Sequence, residues 1–151
     1  MVTAVATLLD IGSTLSFITS RLAKQLKLRG KLIKLSFETV GGNTNFIDTQ
    51  EYEISMIDCE EKFVTMQVIG IEKISSSISS INTPEIANLF QISVEDISRP
   101  TEGEIELLLG VRYAGFHPVR CDHRGHLLLL KNRFGQTFEG THPQIKEKNK
   151  N

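Results

Sequence analysis

Apolar positions crowd together at the start of this chain, alternate through its middle and crowd again near its end. Val2, Val5, Leu8 and Leu9 form a β-rich run that stops at Asp10 and Gly12, which predicts a buried strand over 2–9. The spacing then changes. Ile18, Leu22 and Leu26 recur every four residues, with Arg21, Lys24, Gln25 and Lys27 between them. That period predicts a short amphipathic helix, capped by Thr19 or Ser20 and ended by Gly30.

Beyond Gly30 the period falls to two. Ile33, Leu35 and Phe37 face one way and Lys34, Ser36 and Glu38 the other. Val40-Gly41-Gly42-Asn43 supplies residues that tolerate positive φ, as a tight hairpin requires. A second alternating strand sets Tyr52, Ile54 and Met56 against Glu51, Glu53 and Ser55. A turn at Asp58-Cys59-Glu60-Glu61 leads to a third, Phe63 to Ile71. These three predict an antiparallel meander.

Ser75 to Thr83 is serine-rich and reads as a surface loop, because serine side chains compete for backbone hydrogen bonds. Thr83-Pro84-Glu85 opens a helix whose apolar face is Ile86, Leu89 and Phe90. Arg99 to Gly103 is a turn, and Glu106-Leu107-Leu108-Leu109-Gly110 is a second apolar run ending in glycine. Val111 to Phe116 is a short helix or turn, stopped by Pro118. His126 to Lys131, with four consecutive leucines, and Phe134 to Phe138 predict two closing strands.

With 151 residues the chain fits one domain with a real core. The expected boundaries are a domain over 1–142 and a polar, frayed tail over 143–151. Lys and Arg number 17 against 18 Asp and Glu, so the charge balance points to neither nucleic acid nor an anionic membrane. No apolar run reaches the roughly 20 residues of a membrane helix, and the start lacks a secretory pattern. Cys59 and Cys121 lack C-x-x-C spacing and read as reduced thiols, although a single bridge between them is open. The expected location is cytoplasmic. Beginning just before a core-like strand, the chain reads as a piece of something longer.

Two stretches carry the chemistry. Leu8-Leu9-Asp10-Ile11-Gly12-Ser13 taken alone is a strand end with an Asx-type turn. Paired with Leu108-Leu109-Gly110, it resembles the two signatures of a retroviral-type aspartic protease half. Further stretches narrow the resemblance to the aspartic peptidases of Pao/BEL-type retrotransposons. They are Ser16-Phe17-Ile18 leading into Arg21-Leu22-Ala23-Lys24-Gln25-Leu26, then Leu108-Leu109-Gly110-Val111-Arg112-Tyr113. Asn132-Arg133-Phe134-Gly135 with Gly140-Thr141-His142-Pro143 resembles that family's run towards its reverse transcriptase.

The resemblance implies a mainly β fold, a retropepsin-like half-barrel (a closed or partly open antiparallel β-barrel) with one to three short helices. It implies an aspartic endopeptidase that processes a retroelement polyprotein without a cofactor or metal. Two carboxylates held close cannot both ionise. The pair therefore keeps one proton, and one member acts as base on water while the other donates to the carbonyl oxygen. The chain has no internal repeat and one suitable aspartate, Asp10, so the family logic is a symmetric homodimer acting on a peptide or polyprotein substrate. Gly12 and Ser13 would support Asp10, with Ser13 reaching its outer oxygen. Leu108, Leu109 and Gly110 would pack beside the aspartate loop, and Gly41-Gly42 would tip a flap over the substrate.

Two positions depart from the family. Ile11 stands where Ser or Thr is usual, and Arg112 where an acid is frequent. The usual hydroxyl locks the two loops across the dimer axis, and Ile11 has none. An unsatisfied buried partner would cost on the order of 1–3 kcal/mol in each subunit. Ile11 thus supports an alternative, an inactive fold kept for dimerisation or peptide binding, or as a relic.

Other signals are weaker. Cys121-Asp122-His123-Arg124-Gly125-His126 offers at most three metal ligands and reads as a hairpin turn. His117 and His142 each precede proline and read as surface residues. No Ser-His-Asp or Cys-His pairing is evident.

Overall fold

The computed structural model describes residues 3–38, 40–74, 83–97 and 104–145. The serine-rich stretch up to 82, the turn at 99–103, the tail from 146 and Val2 lie outside them.

The fold is mainly β, with short helices, as expected. One sheet has six strands in the order β1 (Thr7–Leu9), β6 (Leu107–Leu109), β2 (Phe17–Thr19), β5 (Phe63–Ile71), β4 (Thr44–Ile57) and β3 (Lys31–Glu38). A second sheet pairs β7 (Val119–Arg124), β8 (Leu127–Asn132) and β9 (Gly135–Glu139). Both sheets stay open rather than closing into a barrel.

The meander β3–β4–β5 follows the alternation, and β5 has the expected bounds. Its inward face carries Ile54, Met66 and Val68, which pack with Ile18, Leu22, Leu107 and Leu109 into the main core. The strand β4 is longer than its alternation suggested, because Thr44–Gln50 pairs with β3 alone and runs past β5 as a two-stranded ribbon. Gly41 and Gly42 close that ribbon with φ of 111° and 84°.

The first strand is three residues long instead of eight, with Thr7 and Leu8 exposed, since β1 is an outer strand that among the described residues pairs with β6 alone. The periodicity around Leu22 misassigned Ile18, which lies in β2, fully buried against the helix rather than on it. Helix α1 spans Ser20–Gln25 and stops well before Gly30. Leu26 is its C-cap, and Lys27 turns the chain with φ of 55°.

The helix α2 (Thr83–Phe90) starts at Thr83-Pro84 as expected. Its Ile86, Ala87 and Phe90 pack with Ile97, Leu127 and Leu129 into a second core beneath the smaller sheet. The leucine run is the central strand of that sheet. The segment Asp122-His123-Arg124, expected in a turn, belongs to β7, and the reversal is confined to Gly125-His126. Cys59 and Cys121 are free and exposed. No helix among the described residues is long and apolar enough to cross a membrane.

An aromatic chain joins the sheets. Tyr113 stacks on Phe116 with centroids 5.6 Å apart, and Phe134 meets Phe116 edge-on at 5.6 Å. Beside it the Asp58 carboxylate, almost fully buried, takes the Arg133 guanidinium at 3.2 Å and the amides of Glu60 and Lys62 at 2.9 Å each.

Candidate active site

The strand β6 sits between β1 and β2, parallel to the first and antiparallel to the second. Everything between β1 and β2 is one loop, Asp10 to Ser16, and it must bridge over the end of β6. Residues far apart in the sequence therefore meet at the aspartate.

Asp10 is half-buried. Its amide donates to the Leu109 carbonyl at 3.0 Å, and its Oδ1 accepts the Gly12 amide at 2.8 Å. The Ser13 amide closes the turn on the Asp10 carbonyl at 3.2 Å. Gly12 does bring its N–H to the carboxylate. Its smallness matters for space, since a Cβ there would stand 3.1 Å from Oδ1.

Ser13 departs from expectation. Its hydroxyl donates to the Leu15 carbonyl at 2.7 Å, so it ties the loop to itself and leaves the carboxylate alone. Ile11 is the loop tip, 78 % exposed.

The leucine–glycine segment buttresses the loop along its length. Beyond the Leu109 contact, Val111 donates to the Ser13 carbonyl at 2.7 Å and Arg112 to the Thr14 carbonyl at 3.3 Å. Gly110 lies where the two backbones cross. A Cβ on it would overlap the Leu15 carbonyl and approach the Ser13 carbonyl to 2.8 Å, so any larger residue would push the loops apart. Leu109 and Leu107 point into the main core, while Leu108 pairs with Leu8 and Phe17 on the opposite face of the sheet.

Two further residues hold this crossing. The Gly110 amide donates to the Ser16 hydroxyl at 2.9 Å, and the Gly110 carbonyl lies 2.9 Å from His117 Nε2. His117 is half-buried, contrary to its expected place on the surface, and Nδ1 is buried with no partner among the described residues. A carbonyl oxygen can only accept, so Nε2 is the donor in this bond. Neither role was visible in the sequence, since each contact depends on where β6 inserts.

Gly41 and Gly42 lie apart from this cluster at the tip of the β3–β4 ribbon. A Cβ on either would meet nothing within 4 Å, and Val40 beside them is fully exposed. Ile33, Leu35, Phe37 and Ile47 share one face of the ribbon, with Leu35 opposite Ile47.

The arrangement presents one carboxylate per chain, half-open to solvent, on a loop held by the end of β6. Compared with known proteins, the chain matches no family model, no curated protein and no solved structure.

Proposed function

We propose that this chain is the aspartic endopeptidase domain of a Pao/BEL-type retrotransposon polyprotein. It would work in the cytoplasm or within element particles, as a homodimer on peptide or polyprotein substrates. The observation that carries this reading is the clamping of the Asp10 loop by Leu109-Gly110. A carboxylate used as a base must be held still relative to its partner, and seven hydrogen bonds within the loop or to the buttress hold the loop that carries this one.

Each subunit contributes one Asp10 across a two-fold axis. The pair shares a proton, activates a water and donates to the scissile carbonyl. Gly12 donates to Oδ1, and Ser13 stiffens the loop. The ribbon is long and thin, paired on two strands only, and such ribbons are marginally stable alone. That suits a flap that opens for substrate and closes to exclude water, with Gly41 and Gly42 as its tip.

The exposed Ile11 favours a second reading, an inactive relative retained for dimerisation or peptide binding. Incubation with an unstructured peptide library at mildly acidic pH separates the two. Cleavage by the parent chain that Asp10→Asn abolishes supports the enzyme. Cleavage appearing only in Ile11→Thr supports an inactive relic, and no cleavage by any variant that is nevertheless dimeric supports the binding module.

A further inference from the structure

One short piece of chain grips both ends of the aspartate turn. The Leu109 carbonyl takes the Asp10 amide at 3.0 Å, and the Val111 amide donates to the Ser13 carbonyl at 2.7 Å. Gly110 lies between these two grips, so the tilt of its backbone sets how the turn is held. No side chain fits there, because a Cβ would overlap the Leu15 carbonyl. Glycine is the least constrained of residues, so its orientation must be imposed from outside. The Ser16 hydroxyl takes its amide at 2.9 Å, and His117 Nε2 donates to its carbonyl at 2.9 Å. The Tyr113 amide reaches the same carbonyl at a longer 3.3 Å, within the short helical turn Val111–Phe116.

We infer that His117 is a positioning residue for Asp10, acting through the peptide group between Gly110 and Val111. This rests on the peptidase reading above and names a residue that reading leaves out. The peptide group is held at both ends, its carbonyl by His117 and its N–H by the Ser13 carbonyl. Bonds at the two ends of one peptide group polarise each other, so the ring's donor strengthens the grip on Ser13. The Ser13 amide in turn closes on the Asp10 carbonyl at 3.2 Å, and the Gly12 amide beside it binds Oδ1 at 2.8 Å. The ring is itself aimed by fixed neighbours. The His117 amide donates to the Ala114 carbonyl at 3.1 Å, and Asn132 Nδ2 donates to the Phe116 carbonyl at 3.0 Å. Pro118 keeps the His117 backbone extended, with ψ of 146°.

His117→Leu and His117→Gln, with Asp10→Asn as the inactive control, test this by proton–nitrogen NMR and by peptide cleavage on the same samples. Leucine removes the donor, and glutamine keeps one at a similar reach. Both variants lack the ring, so ring-current changes are common to them and their difference reports the hydrogen bond. In His117→Leu the Val111 and Gly12 amide resonances should move, and kcat should fall about tenfold with KM within about twofold of the parent. In His117→Gln the resonances should return towards their parent positions, and kcat should recover to within about threefold. Unmoved Val111 and Gly12 amides in His117→Leu, or a glutamine variant as impaired as the leucine one, overturn the inference, because the ring then only fills space. A fall in kcat that comes with lost amide protection throughout β4 and β5 overturns it too. The Gly12 amide reports the carboxylate whether or not any peptide is cleaved. A parent chain that cleaves nothing therefore sinks the peptidase reading, while the amide comparison still decides the role of His117.

Discussion

Gly110 donates its amide hydrogen to the Ser16 hydroxyl, 2.9 Å away in space and 94 positions away in sequence. Both residues are buried, and the bond fastens the two halves of the candidate site where their backbones cross. Ser16→Ala leaves a buried N–H without a partner, at a cost of about 1–3 kcal/mol. In a chain of this size that lowers Tm by about 2–4 °C per kcal/mol. Gly110→Ala should be worse, because its methyl meets two carbonyl oxygens with no flexible side chain to yield. Thermal denaturation of both variants checks the order: parent, then Ser16→Ala, then Gly110→Ala.

Much of this architecture could be read from the chain, and the gaps have physical reasons. The meander was legible because β4 and β5 turn one face to the core and β3 pairs with β4 in register, which writes a period of two into side-chain polarity. Thr83-Pro84 marked the start of α2 because capping and a fixed φ are local properties. In contrast, β2 has three residues, too few to carry any period, and Ile18 falls four before Leu22 because both point into one core. The strand β7 reads Val-Arg-Cys-Asp-His-Arg and lies at a sheet edge, so no apolar alternation betrays it. For the site, Asp10 and Leu109-Gly110 were legible as motifs. The roles of Ser16 and His117 arise from the insertion of β6 between β1 and β2, a long-range pairing that leaves no local trace.

The tip of the β3–β4 hairpin gives a test that separates local from global effects. Gly42 has φ of 84°, a region that side chains with a branched Cβ rarely adopt. Gly42→Val should strain the turn by about 1 kcal/mol or more. A Cβ on Gly42 would meet nothing within 4 Å, so Tm should move by only a few degrees. If the ribbon is a flap, the same variant should lose peptidase kcat/KM by a much larger factor than that shift suggests. A loss of kcat/KM no greater than the loss of folded protein would argue against the flap role.

Asp58 predicts how stability responds to acid. The Lys62 amide, then the Glu60 amide and Arg133, hold its carboxyl below the ordinary carboxylate range, outweighing the opposing effect of burial. Its folded pKa is therefore depressed relative to the unfolded value of about 3.9. The stabilisation is complete above that value and is lost as pH falls through the lower folded one. Tm of the parent should drop from about pH 5 towards pH 2 more steeply than Tm of Asp58→Asn. The two curves should converge at the acid end. Parallel curves would mean that the clamp between the β4–β5 turn and Arg133 contributes nothing to pH dependence.

Thr19 joins the helix to the strand that carries the buttress. Its Oγ1 accepts the Leu22 amide at 3.2 Å as the N-cap of α1 and donates to Glu106 at 3.3 Å, while Glu106 also takes Arg21 at 2.5 Å. A six-residue helix is far below the length that holds itself in water, so α1 depends on this cap and on Leu22 and Ala23 in the core. Thr19→Val keeps the shape and removes both bonds, which should cost about 1–2 kcal/mol. Thr19→Ser keeps the oxygen and should cost less. Hydrogen exchange locates the effect. In Thr19→Val the amides of Leu22 and Ala23 should lose protection before those of β4 and β5, because the cap acts on the first turn of α1 while the meander keeps its own ladder. Loss of protection spread evenly over the sheet would instead make Thr19 a core residue whose hydroxyl matters little.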